Sequence, residues 1–389
     1  MMENWIQISF RDPIVSRDGR PFGSGQGRRM RSAGWPLPSV IAGSLRSAIG
    51  KQAGREFSDQ TSQDLLEMDV AGGLPIAATG GGAELYFPAP QDCLLQPDSR
   101  SALAARPREI EGGGGCDLPH PALQPVMLTF QEAADDFKPE TPPAWWPERK
   151  FVDWMLGKEV MFDNNFLTAP LADERTHARI QAEFGSAADG ELFSTTALTL
   201  GRLPRYEATS KSGIAGRYAE AQFAIRARGT GWCAQTAASL DSLHPLGGER
   251  RLADWKACRS PLWRCPEAIS AALKDACRVR LVLATPAIFS SGWKPGWLDK
   301  NLTGMVPGTQ VKLRLVGVGI KRWQAVSGWS LAAPRGPKAI RRIVPAGGVY
   351  FFEAPTGGAG ELATRWLEPV SDGVQECRDG FGLAAWGIW

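Results

Sequence analysis

At 389 residues, the chain has room for one large or two medium domains with proper hydrophobic cores. Hydrophobic residues at 43% and charged residues at 22% exclude a disordered or fibrous protein and describe an ordinary globular one. The net charge of +3 excludes a uniformly basic surface, so any site for a polyanion must be local.

The first strand is short: Ile6, Ile8 and Phe10 alternate with Gln7 and Ser9, the period of a half-buried strand. A loop and helix follow, RDPIVSRDGRPFGSGQGRRMRSAGWPLPSVIAGSLRSAIG (11–50). The loop sets Arg17, Arg20, Arg28, Arg29 and Arg31 against one acid, Asp18, a composition that seeks an anion. Its glycines Gly23, Gly25 and Gly27 lack the spacing of a dinucleotide fingerprint, and no P-loop Lys-Ser/Thr follows. Leu37, Ile41, Leu45, Ala48 and Ile49 form one helical face, with Ser39 expected as N-cap and Gly50 as the stop. The positive end of that helix is expected to face whatever the arginine loop holds.

Periodicity is then lost. Glycine tracts at 80–82 and 112–115 and prolines from Pro88 to Pro147 mark a long irregular insertion, with ELYFPAP (84–90) a short strand and 154–164 helical. Regularity returns in ELFSTTALTL (191–200) and AEAQFAIRARG (219–229), expected to pair as antiparallel strands. A short helix near 234–243 leads to HPLGGERRLADW (244–255), where Gly247 and Gly248 precede Arg250 and Arg251. Such a turn offers guanidinium groups beside backbone N–H, a good phosphate contact.

The second part repeats the order: RVRLVLA (278–284), a helix or turn at 295–302, VKLRLVGVG (311–319), GGVYFFE (347–353), a short helix at 361–369 and the terminal GFGLAAWGIW. The reading is α+β, with two ferredoxin-like (RRM-like, βαββαβ) domains. The first is expected at 1–265, with the insertion at about 54–190, and the second at 266–389.

Seven cysteines without any C-x-x-C form no disulfide framework and point to a reducing cytoplasm. Cys258, Cys265 and Cys277 with His244 match no familiar zinc spacing. The N-terminus has no basic n-region, and the longest uncharged stretch is broken by Pro286, Ser290 and Ser291, so neither secretion nor membrane spanning is expected. Ser291 and Lys294 form S-x-x-K without the companion hydrolase motifs.

RDGRPF, PSVIAGSLRSAIG, ELYFPAP, RTHARI with DGELFSTTALTL, LGGERR, TPAIFSSGWKP, VSGWSL, VPAGGVYFFE and GFGLAAWGIW together resemble the third subunit of the Cmr complex, the type III-B CRISPR effector. The resemblance covers most of the chain outside roughly 92–154 and implies a member of the RAMP superfamily, related to the Cas five group. It implies a non-catalytic subunit that clasps the 5′ repeat-derived handle of the guide RNA (crRNA). Its implied neighbours are the Cas ten-type large subunit and a backbone RAMP subunit, in a ribonucleoprotein of antiviral defence; no cofactor or metal is expected on this chain itself. The motif-matched RNA contacts are Arg17, Arg20, Ser39, Arg46, Gly247, Gly248, Arg250 and Arg251. Arg28, Arg29 and Arg31 join them by chemistry. Trp35 or Phe22 would supply a stacking plane. Lys321 and Arg322, with Arg335, Lys338, Arg341 and Arg342, would extend the path or face an acidic partner. Some RAMP relatives cleave RNA, which makes His177 of ERTHARI the residue for an alternative ribonuclease reading, but neither His120 nor His244 is an evident partner.

Overall fold

The computed structural model describes residues 1–20, 28–79, 82–97, 99–110, 115–129, 137–207, 214–259, 263–330, 334–355 and 358–389. Strand accounts for about 41% and helix for 16%, and antiparallel pairing dominates, so the α+β class holds in that form. No described helix is long and apolar enough to cross a membrane.

The principal elements of the first half are β1 (Met2–Phe10), β2 (Arg28–Met30), α1 (Pro38–Gln52), α2 (Asp59–Leu66), β3 (Asp69–Thr79), β4 (Gly82–Pro88), α3 (Glu148–Met155), β5 (Leu171–Ile180), β6 (Ala187–Thr199), β7 (Ile214–Gly229), α4 (Gly231–Ala238), β8 (Asp241–Pro245) and β9 (Leu252–Cys258). Their main sheet runs β8-β9-β1-β7-β3-β4. The alternation in β1 places it centrally: Ile6 and Ile8 are fully buried beneath the face of α1 that carries Ile41, Leu45, Ala48 and Ile49. Each large aliphatic side chain buried there contributes about 1.5–3 kcal/mol.

The second half is built from α5 (Glu267–Leu273), β10 (Arg278–Leu283), β11 (Lys312–Gly319), β12 (Gln324–Val326), β13 (Arg341–Ile343), β14 (Val349–Glu353) and β15 (Leu383–Ile388). Its sheet runs β11-β14-β10-β15 between two short edge strands. The runs β3-β7-β1-β9 and β11-β14-β10-β15 therefore share one order. β10 is buried on both faces, which explains its nearly continuous apolar sequence.

Four expectations about local structure are corrected. The partner of β7 is β3, whereas ELFSTTALTL lies in β6 and pairs with β5 and, in parallel, with β2. α1 is capped at Leu37 with Pro38 in its first turn rather than by Ser39, since proline needs no N–H partner there. The helix also runs past Gly50 and stops at Gly54, whose φ of +63° suits glycine. There the Gly54 N–H donates to the Lys51 carbonyl and the Arg55 N–H to the Gly50 carbonyl, each at 3.0 Å. The helix expected at 154–164 is α3, starting behind Pro147.

The two halves share apolar packing. Trp5, Leu74 and Phe87 pack in one core with Leu281, Phe351 and Trp386. Arg46 of α1 spans the same boundary: its guanidinium meets Asp379 at 2.5 Å and donates to the Met68 and Arg378 carbonyls at 2.7 and 3.0 Å.

Burial, with Glu84 as a second cause, pushes the Glu148 carboxyl up to about 7. A raised carboxyl favours folding below its unfolded value, and that contribution is lost as pH rises through 7. Glu148→Gln is therefore expected to stabilise the chain at pH 8, by up to about 3 kcal/mol, and to change little at pH 5. Thermal unfolding at both pH values checks this; equal shifts at the two would refute it.

Candidate nucleic-acid interface

The arginine loop is framed on three sides. Its first limb bonds to its last: the Asp18 N–H donates to the Arg31 carbonyl at 3.0 Å and the Ala33 N–H to the Ser16 carbonyl at 2.7 Å. Ile14 exchanges two 2.8 Å backbone bonds with Leu198 of β6, and the Ser32 hydroxyl donates to the Thr196 carbonyl at 2.6 Å. Gly19 lies against Ala325 of β12, so the loop also touches the second half. Gly23, Gly25, Gly27 and Phe22 lie outside the described residues.

The glycine turn joins this frame through backbone. Gly248 donates its N–H to the Val15 carbonyl at 2.7 Å, and the turn closes with the Arg251 N–H on the Gly248 carbonyl at 3.4 Å. Its central residues, Glu249 and Arg250, both have left-handed φ values, 57° and 52°. Each such residue costs about 1–2 kcal/mol, and strain of this kind gathers at functional sites.

Arg17, Arg20, Arg29, Arg31 and Arg250 are exposed at this edge. Their settings differ. The Arg17 guanidinium donates to the Arg20 carbonyl at 3.2 Å, Arg20 lies 3.3 Å from Asp18, and Arg29 is paired with Glu174 of β5. Arg251 lies against Glu249 at 2.8 Å and is largely covered. Exposed ion pairs of this kind are worth about 1 kcal/mol or less, so a phosphate can compete for the same guanidinium groups.

The family model described as CRISPR-associated protein (Cas_Cmr3) matches residues 6–389. The chain belongs to the Cas_Cmr3 family. This bears out the resemblance read from the motifs and makes the chain a type III-B CRISPR effector subunit. Two solved structures of type III-B Cmr-beta are similar to it, one bound to cognate target RNA and AMPPnP, the other to cognate target RNA. The first has 12% identity and a TM-score of 0.46, the second 13% and 0.45; each match covers 89% of this chain and 86% of the other. A type III-A Csm3–Csm4 subcomplex matches at 9% identity and TM-score 0.34, over 89% of this chain and 92% of its counterpart. No curated protein matches.

In this Cas_Cmr3 chain the remaining candidates fall elsewhere. Arg46 is buried in its bond to Asp379, which gives it a structural setting away from the loop. Ser39 is half-buried in the first turn of α1. Leu37, at the start of that helix, gives its N–H to the Ser16 hydroxyl and packs with Val326 and Ile343, so this end of α1 is occupied by a loop serine and apolar side chains. Trp35 is packing: its Nε1 donates to the Gly73 carbonyl at 2.9 Å and its ring lies 4.1 Å from Trp145. Ser16 and Ser32, which hold the loop in shape, carry no periodic or charge signal that sequence reasoning can use.

The three histidines have separate settings. His177 bonds to the Thr195 hydroxyl at 2.9 Å and stacks on Phe193. His120 Nδ1 accepts the Ala122 N–H at 3.1 Å, while its Nε2 lies 3.0 Å from the Lys300 carbonyl. His244 is buried in β8, and burial, aided by Lys51, pushes it down to about 4.

Proposed function

We propose that this chain is the guide-holding subunit of its effector, a non-catalytic clasp for the 5′ handle of the guide RNA. The observation that carries the reading is the Val15–Gly248 backbone bridge, which fastens the glycine turn to the arginine loop. Exposed guanidinium groups from both segments then serve one rigid edge. Single-stranded RNA held in a fixed shape needs such phosphate clamps rather than a groove reader. The common strand order of the two halves supports two ferredoxin-like units as the scaffold, and the large Cas ten-type subunit and a backbone RAMP subunit are its proposed neighbours.

The test is binding of guide RNA with and without the handle to the full chain, for wild type and for Arg17→Ala/Arg20→Ala, with a cleavage control. The expected result is handle-dependent binding that falls about tenfold per lost arginine contact and whose salt dependence becomes shallower. Equal binding to both RNAs would overturn the handle reading, and a cut product would favour the ribonuclease reading.

A further inference from the structure

All fifteen tryptophans lie among the described residues, and only Trp323 and Trp329 are exposed, at 46% and 64%. Both lie in one segment of the second half. Between Asp299 and Glu353 the sequence has no acidic residue, yet it has nine lysines and arginines. In a chain whose net charge is only +3, that is a strong local imbalance.

The ribbon β12–β13 orders this segment. Gln324 pairs with Ile343, Ala325 with Arg342 and Val326 with Arg341. Val326 and Ile343 are buried on Leu37 and Phe381, which anchors one face of the ribbon. Ala325 and Arg342 share the other face. There the Arg342 guanidinium lies 4.5 Å from the Trp323 ring centre, and Gly19 of the arginine loop packs on Ala325. Lys321 and Arg322 are exposed beside them.

We propose that Trp323, braced by Arg342, is a stacking platform for an unpaired base of the guide RNA next to the Arg17–Arg20 edge, an inference that rests on the guide-binding reading. A solvent-facing indole braced by guanidinium provides a plane that any base can stack on, and Lys321 and Arg322 supply the adjoining phosphate contacts. Glu376 takes up Arg341 of the ribbon, while Lys321, Arg322 and Arg342 stay exposed beside Trp323, a local excess of positive charge that suits a polyanion that also carries π-faces. The path for RNA thus continues from the loop of the first half onto the ribbon of the second.

The test compares Trp323→Ala, Trp323→Phe and Arg17→Ala/Arg20→Ala in the full chain, using a handle-bearing guide RNA over a salt series, with 4-thiouridine crosslinking to map contacts. Trp323→Ala is expected to weaken binding about tenfold with an unchanged salt slope, because no phosphate contact is lost. Trp323→Phe should retain most of the affinity, and the crosslinked peptide should contain Trp323. The double arginine variant should lower the slope by about 1.4. Wild-type affinity in Trp323→Ala, with binding lost in the arginine variant, would overturn the platform and leave the clasp standing. Full affinity in every variant would overturn both. Normal RNA binding by Trp323→Ala combined with lost association to another effector subunit would overturn it in favour of a protein-docking face.

Discussion

Asp92→Asn is expected to remove about 3–5 kcal/mol of stability, seen as a fall in the urea midpoint of the full chain. Asp92 and Arg280 are both fully buried and meet at 2.6 Å. Arg106 approaches the same carboxylate at 2.7 Å, and the Trp154 Nε1 donates to its other oxygen at 2.9 Å. One carboxylate thus balances two guanidinium groups and satisfies an indole. Burial lowers the Arg280 guanidinium to about 10, with the Asp92 charge opposing that shift, so it stays charged at neutral pH. Removing the carboxylate leaves that charge uncompensated inside the protein, which costs far more than the pair contributes. Asp92→Leu/Arg280→Met, which removes both charges, should lose clearly less than the single change. The node also ties the insertion to the second half, since Gln91 donates its N–H to the Gly347 carbonyl at 2.9 Å. Single and double variants with equal losses would show that the charge contributes nothing beyond packing.

The strands and helices with clean periods were legible in the sequence. β1 and the apolar face of α1 stand where alternation and three-to-four spacing put them, because one buried face imposes each pattern, and β10 stands where a nearly continuous apolar run puts it, because both of its faces are buried. β3 was not legible. Its sequence DVAGGLPIAAT carries two glycines and a proline, which local rules read as a loop, yet it forms the partner of β7 with an irregular register at Ala224/Ile225. Tertiary pairing overrides propensity there. β6 shows the complementary failure: its strand character was readable, but its partners β5 and β2 were not, because alternation does not encode who pairs with whom. Arg46 and Asp379 lie 333 positions apart, so nothing local distinguishes Arg46 from a surface cation. The charge of the arginine loop was plain in the sequence. What shapes the loop, namely Ser16, Ser32 and the bridge from Val15 to Gly248, emerges only when distant segments meet.

Gly247→Ala is expected to be the most informative change at the proposed clasp. Gly247 has a φ of +75°, and a Cβ there would lie 2.3 Å from the Val15 carbonyl oxygen. The left-handed backbone alone costs about 1–2 kcal/mol for a residue with a Cβ, and the clash displaces the Gly248–Val15 bond, worth about 1 kcal/mol more. A total near 2–3 kcal/mol follows. Gly248 is the control: its Cβ would meet the Val15 side chain at 3.1 Å in an ordinary backbone conformation, so Gly248→Ala should cost less than about 1 kcal/mol. If the bridge aligns Arg250 with Arg17 and Arg20, Gly247→Ala should lose handle binding as well as stability, and hydrogen exchange should quicken at the Gly248 and Ile14 amides. Those two probes separate alignment from mere folding, because the exchange change would be confined to the frame while the first-half core stays protected. Retained handle affinity in a Gly247→Ala chain with a loosened bridge would remove the glycine turn from the clasp and leave the arginine loop to hold the RNA alone.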